Sequence, residues 1–261
     1  MKKITAILLV MIMVCSLAGC GSKAAADSDV DYIKNKGTLI VGITDFAPMD
    51  YKDDSGEWIG FDADLARLVA KDLDVEIEFV EIDWDNKILE LDNKSIDCVW
   101  NGMTLTDEVK NAMNCTNAYC KNAQVIVTKS DKSKSISSED AAKALKYAVE
   151  AGSAGEAVAE EKGWDYTSLT AQADALMEVE AGSSDACIID LLMAGAMIGE
   201  GTSYSDLATS LELTEEEYGV GCRKNSDLTA FINDEFKKYN GDGTVENIAK
   251  QYGVQYSIIS R

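Results

Sequence analysis

Short apolar runs alternate with amphipathic stretches along this chain, and the alternation happens twice. A short helix over 30–36 is stopped by Gly37, and the β-branched run 38–43 predicts a first strand. Tyr51 and Trp58-Ile59 flank the turn cluster Asp53-Asp54-Ser55-Gly56, which predicts a hairpin. The next helix starts at Gly60 and reaches Leu73, with Asp62 and Asp64 at its positive end and Leu65, Leu68 and Val69 on one stripe. Residues 75–82 alternate apolar and acidic positions, the pattern of a half-exposed strand, and 84–91 read as another helix. The run 96–100 predicts a short buried strand that turns polar at Asn101-Gly102 and enters a helix behind Thr106. A strand ending in a Gly/Thr loop that feeds a helix start is how an open α/β sheet holds a small polar ligand beyond its strand ends.

The second series begins with an apolar strand at 124–128, a polar stretch to 138 and a helical region from 141. A strand at 146–149 ends in the small-residue loop 150–156, and helix patterning resumes at 157. Helices over 173–181 and 190–198 enclose a strand at 186–189. A strand at 218–223 follows the acidic triplet 215–217, and helices over 228–239 and 245–252 close the series. Two rounds of βα alternation predict an α/β protein with two lobes, each a mostly parallel sheet flanked by helices. The strands near 124–128 and 218–223 are expected to form the two crossings of a hinge. One lobe then consists of 124–221, and the other is assembled from 32–123 and 222–261.

The first residues stand apart. Lys2 and Lys3 precede a continuous apolar run over 4–17 that is too short, and too closely followed by small residues, for a spanning helix. The ending Leu17-Ala18-Gly19-Cys20 resembles a bacterial lipoprotein signal. That likeness implies a signal peptide over 1–19, a lipid on the Cys20 thiol, and a small, polar, flexible tether over 20–31.

Composition is that of an ordinary globular protein, 46% hydrophobic and 27% charged, but the formal charge is -22. Such an acidic balance argues against nucleic acid, whose binders carry a basic face, and against electrostatic adhesion to anionic lipid. Membrane attachment would therefore rest on the lipid anchor alone. The chain has no histidine, which removes Ser-His-Asp and Cys-His arrangements and most catalytic zinc sites. Beyond Cys15 and Cys20 five cysteines remain, an odd number that leaves at least one thiol unpaired in an exported protein. Cys98 and Cys187 sit in apolar runs and read as small buried hydrophobes.

Several segments, in this order, carry a resemblance. They are the Asp45-Phe46-Ala47-Pro48 loop, Gly60-Phe61-Asp62-Ala63-Asp64-Leu65-Ala66, and Asn101-Gly102-Met103-Thr104-Leu105-Thr106. They continue through Cys115-Thr116-Asn117-Ala118-Tyr119, Ser184-Asp185-Ala186-Cys187-Ile188-Ile189-Asp190, Tyr218-Gly219-Val220-Gly221 and Asp242-Gly243-Thr244. Together they resemble the bacterial extracellular solute-binding proteins, family 3, the receptors of ABC importers for polar amino acids. The resemblance implies a type II periplasmic-binding-protein-like fold that captures an amino acid or a derivative between its lobes. It further implies no cofactor, ABC permease subunits as partners, a monomer, and a place on the extracytoplasmic face of the cell membrane. A ligand-sensing module for a membrane signalling partner is the alternative on the same fold, and a dehydratase is a more distant one, with Glu156 or Lys110 as its acid.

The resemblance also nominates residues. Asp190, which ends a strand and opens a helix, would hold the ligand ammonium, although a capping role suits the same position. Ser153 and Ala154, in a Gly-Ser-Ala-Gly loop before a helix, would offer amides to the carboxylate. The matching pair in the other lobe is the Gly102 backbone and the Thr104 hydroxyl, with Asn101 beside them as a further ligand-binding residue. Phe46 and Trp58 fall where the family places walls around the side chain, and Asp45 either faces the pocket or caps the next turn. The chain departs from the family at one point: Val109 stands where a carboxylate-gripping Arg is usual, and Lys110, one place on, lies about 100° around the helix. A lysine is not a geometric substitute for an arginine fork.

Overall fold

The computed structural model describes residues 28–259, so the expected signal segment and the Cys20 anchor lie outside the described residues. No helix among the described residues is long and apolar enough to cross a membrane. Residues 28–31, expected at the end of the tether, form a helix cap and the first turn of a helix. Ser28 caps the helix Asp29–Lys36 by accepting from the Asp31 N–H, and Asp29 pairs with the Arg223 guanidinium. That guanidinium also donates to Asp97 and to the Ile96 carbonyl, so the start of the described residues is tied to the chain's late return.

Two five-stranded sheets make two lobes. In the first, the spatial order is Glu76–Glu81, Thr38–Ile43, Cys98–Val99, Gly221–Cys222, Asn114–Cys115. In the second it is Asp165–Leu169, Lys146–Glu150, Ala186–Asp190, Gln124–Lys129, Leu207–Glu212. Each sheet has a parallel core of three strands followed by one antiparallel strand, and the fifth strand runs with the core again, so four of five strands share a direction and one is reversed. The reason lies in the connections. Gln124–Lys129 and Gly221–Cys222 are entered directly from the other lobe, without the helical crossover that turns a chain back into parallel register.

Between the sheets, Cys120–Asn122 pairs antiparallel with Glu216–Tyr218 as a two-stranded ribbon. Cys120–Asn122 lies just before the apolar run 124–128, and Glu216–Tyr218 meets the run 218–223 at Tyr218. Those runs mark strands buried inside a sheet, whereas the ribbon alternates buried and open positions.

Both sheets carry apolar side chains on both faces, as covered sheets must. In the first lobe, Leu39, Val41 and Ile43 pack against Phe61, Leu65 and Val69 of the helix Phe61–Leu73, while Ile82, Leu91, Ile96 and Met113 fill the opposite side. In the second, Val125 and Val127 face Leu176 and Val179, and Ile126 faces Tyr147 and Trp164. The five cysteines in the described residues are all free, with Cys98, Cys120, Cys187 and Cys222 buried as small apolar groups.

Candidate functional site

Strand ends from both sheets open onto a cavity of about 290 Å³ between the lobes. Phe46, Trp84, Lys87 and the 101–104 loop line it from the first lobe, and Glu150, Gly152, Ser153, Ala154, Gln172 and Asp190 from the second. This is the place where open α/β sheets hold ligands.

The first-lobe loop is fixed from behind. Asn101 is buried and its side chain is fully engaged: its oxygen accepts from the Thr44 N–H and hydroxyl, and its amide donates to the Thr44 carbonyl and to Asp50. The Gly102 N–H, expected to meet the ligand carboxylate, instead donates to the Asp62 carboxylate at 2.7 Å. Gly102 has φ of 53°, and a Cβ there would sit 2.4 Å from the Phe46 ring, so glycine is required. Thr104 bridges to Tyr218 of the ribbon, and Phe46 meets the same tyrosine edge-on at 6.3 Å. Asn101 and Gly102 thus have their side-chain and amide groups engaged within the first lobe, and both line the cavity together with Phe46 and Thr104.

Trp58 and Asp45 are not brought to this cavity. Trp58 lies in the short hairpin with Lys52 over its ring at 4.5 Å, and Asp45 lines a separate surface depression beside Glu81 and Asp83. Burial, then the charge of Glu81, raises the Asp45 carboxyl above its usual range. The aromatic wall is Trp84 instead.

In the second lobe Ser153 caps the helix Ala154–Lys162, its hydroxyl accepting from the Glu156 N–H. The Ala154 amide, at the cavity wall, belongs to the helix start, where N–H groups have no intrahelical acceptor and the dipole favours an anion. Glu156, named as an acid for elimination chemistry, is taken by the Gly152 N–H and the Ser168 hydroxyl.

Asp190 occupies the capping position of the helix Leu191–Met197 but makes no side-chain cap bond. Its carboxylate accepts from Asn122 and Tyr218, one from each ribbon strand, and from Gln172. Burial, then the Glu216 carboxylate, pushes it up to about 7 against the pull of those donors. Glu150 is also buried, and burial together with the Asp190 charge pushes it up to about 8.

Lys87 is the one cation among the described residues lining the cavity. It is 7% exposed and donates to the carbonyls of Trp84 at 3.1 Å and Gly152 at 2.9 Å. Burial lowers its pKa, while Glu108 and Glu150 oppose that effect. Val109 is packed with Ile82, Met103 and Met113, and Lys110 is exposed and does not line the cavity. Lys87, Trp84, Glu150 and Gln172 had not been singled out from sequence. The Trp-Asp-Asn-Lys start of a helix behind an acidic strand was the only available hint of the first two.

The cavity thus offers two buried carboxyls, one buried ammonium and a helix N-terminus to a small polar molecule. A model of the bacterial extracellular solute-binding proteins, family 3, matches residues 39–255. The L-cystine-binding protein TcyJ of Escherichia coli (strain K12) is 28% identical over 250 residues, covering 94% of each chain. The ABC transporter glutamine-binding protein GlnH of Bacillus subtilis (strain 168) is 31% identical over 270 residues, covering 97% of each. A mutant of ArgBP from T. maritima superposes with a TM-score of 0.80 at 31% identity, covering 86% of this chain and 98% of that one.

Proposed function

The chain belongs to the bacterial extracellular solute-binding proteins, family 3, and from that membership we propose that it is the receptor of an ABC importer. Its ligand is an amino acid or a close derivative, in keeping with the cystine, glutamine and arginine receptors among its relatives.

One observation carries the reading: a cavity walled by both lobes, with a buried Asp190 whose carboxylate faces it from a strand end. A ligand ammonium replaces the water that burial has removed from this carboxylate. The ligand carboxylate lies toward the Ser153–Ala154 helix start and Lys87, which takes the place of the absent arginine as a point charge. Phe46 and Trp84 flank the remainder. The ribbon of Cys120–Asn122 and Glu216–Tyr218 serves as the hinge, so that 124–221 moves against 32–123 with 222–261. Ligand binds both lobes in the closed form only, and that difference in affinity drives closure.

In this reading the receptor works as a monomer outside the cytoplasm. Cys20 carries its lipid anchor, and permease subunits recognise the closed form. A binding role is favoured over dehydratase chemistry because Glu156 and Lys110, the acids that elimination would need, are engaged or exposed outside the cavity.

The test is a panel of proteinogenic amino acids, ornithine and cystine, scored by Trp fluorescence and melting temperature. At least one is expected to shift both, since Trp84 lines the cavity and a ligand that binds only the folded form raises its stability. A folded protein that responds to none of them overturns the proposal.

A further inference from the structure

An α-amino acid brings one ammonium, and Asp190 already offers a buried carboxyl for it. The cavity holds a second buried carboxyl. Glu150 ends the strand Lys146–Glu150, is 3% exposed and lines the cavity. Its strand runs parallel to and pairs with Ala186–Asp190, so the two carboxyls stand at neighbouring strand ends. Strands in a sheet lie about 4.8 Å apart.

Glu150 is not satisfied by the protein. Its Oε1 has no hydrogen-bond partner among the described residues. The groups that face it are Asp190 and Asp174, which repel its charge, and Gln172 and Lys87, which favour it. Lys87 directs two of its three ammonium protons to the carbonyls of Trp84 and Gly152. Asp107 and Glu108 add two more acids to the lining, so four carboxyl groups face one lysine.

We propose that Glu150 is the partner of a second cationic nitrogen on the ligand, and that the site therefore selects amino acids with a basic side chain over neutral ones. The proposal rests on the amino acid receptor reading above and names its substrate class. The α-ammonium lies at Asp190 and the side-chain ammonium or guanidinium at Glu150, donating to the oxygen that lacks a partner. A guanidinium suits this site well because its fork of N–H groups matches a carboxylate.

The competing occupant is a neutral amide, as in glutamine, which would accept a hydrogen bond from protonated Glu150. The two differ in proton balance. Burial and Asp190 hold the empty carboxyl protonated near neutrality, so a cation arriving there displaces one proton to solvent. An amide displaces none at Glu150, and the fraction of a proton that the α-ammonium displaces from Asp190 is common to both ligands.

Isothermal titration of the full chain at pH 7 with arginine, ornithine, lysine, glutamine and glutamate, in two buffers of different ionisation enthalpy, separates them. At least one basic amino acid is expected to bind about tenfold or more tightly than glutamine and to release about one proton more than the fraction that either ligand's α-ammonium displaces from Asp190. In Glu150→Gln that basic ligand loses about tenfold or more in affinity and its excess proton release over glutamine disappears, while glutamine stays within about threefold. Tighter binding of glutamine or glutamate than of every basic amino acid by the wild-type chain overturns the proposal without any variant. So does an unchanged basic-ligand affinity in Glu150→Gln. Failure of all five ligands, and of the wider panel, to bind a folded chain overturns the receptor reading itself.

Discussion

The Lys87 ammonium donates to the Gly152 carbonyl at 2.9 Å, a hydrogen bond that joins the helix Lys87–Asp92 of one lobe to the ligand-facing loop of the other. In the proposed receptor, a lysine that bridges the lobes and keeps a third proton for the ligand would couple carboxylate recognition to closure. Lys87→Met keeps most of the stem and removes the charge. It should lower affinity for the cognate amino acid by about 10- to 100-fold, the range expected from charge-assisted hydrogen bonds of about 1.5–3 kcal/mol. Lys110→Ala, on the exposed face of its helix, should leave affinity within about twofold. Titration calorimetry on both variants checks this, and the reverse ranking would return the carboxylate to Lys110.

Gly152 offers a test of closure alone. Its φ is 70°, and a Cβ there would lie 2.7 Å from the Asp85 Cα across the cleft. Gly152→Ala should therefore obstruct the closed form more than it disturbs either lobe. The conformational cost at positive φ is about 1 kcal/mol in every state. Small-angle scattering should show the ligand-driven compaction of the wild-type chain weakened or lost, with the circular dichroism spectrum unchanged. Normal compaction would mean that the lobes meet elsewhere.

Much of this architecture is visible in the chain's pattern, and the exceptions have physical causes. Asp190 and Ser153 are legible because a strand end followed by a helix start confines a side chain to one edge of the sheet. Trp58 and Trp84 both follow turn or acidic segments, and no local signal tells which one the folded chain turns toward the cavity. The ribbon at Cys120–Asn122 is half open, so periodicity favours the more apolar run beside it. Glu150 was hidden for a different reason. An acid before a Gly-Ser loop looks like a turn residue, and only the pairing with Ala186–Asp190 reveals its burial. The resemblance nominates Gly102 for a backbone contact to the ligand, and nothing in the sequence signals the close approach of Phe46 or the bond from the Gly102 N–H to Asp62.

The buried acids give the ligand-free protein a definite pH dependence. In the folded chain Asp190 and Asp62 are each pushed up to about 7 and Glu150 to about 8, chiefly by burial. Unfolding returns each to the ordinary carboxylate range, so between those limits the folded state binds more protons. Stability therefore falls as pH rises through 7 and 8. Melting temperature measured from pH 5 to 8.5 should decline, and the double variant Asp190→Asn with Glu150→Gln should flatten part of that decline. Asp62 and the equally buried Asp50 account for the remainder. A double variant that declines as steeply as the wild type would show that the cavity acids are not the cause.

Tyr218 links the same chemistry to the ribbon. Its hydroxyl donates to the Asp190 carboxylate, its ring meets Phe46 edge-on, and the Thr104 segment bridges to its backbone. Tyr218→Phe keeps the ring and the backbone bridge but removes one donor. With fewer donors the Asp190 carboxyl titrates higher, so a larger fraction is protonated near neutrality and fewer molecules can receive an ammonium. Affinity should fall by about tenfold at pH 6.5, the loss expected for about 1.4 kcal/mol, and most of it should return at pH 8.5, where Asp190 ionises even without the hydroxyl. A deficit equal at both pH values would assign Tyr218 to packing against Phe46 and to the stiffness of the ribbon. Recovery at high pH would mean that the ribbon governs the charge state of the ligand's partner as well as the path of the hinge.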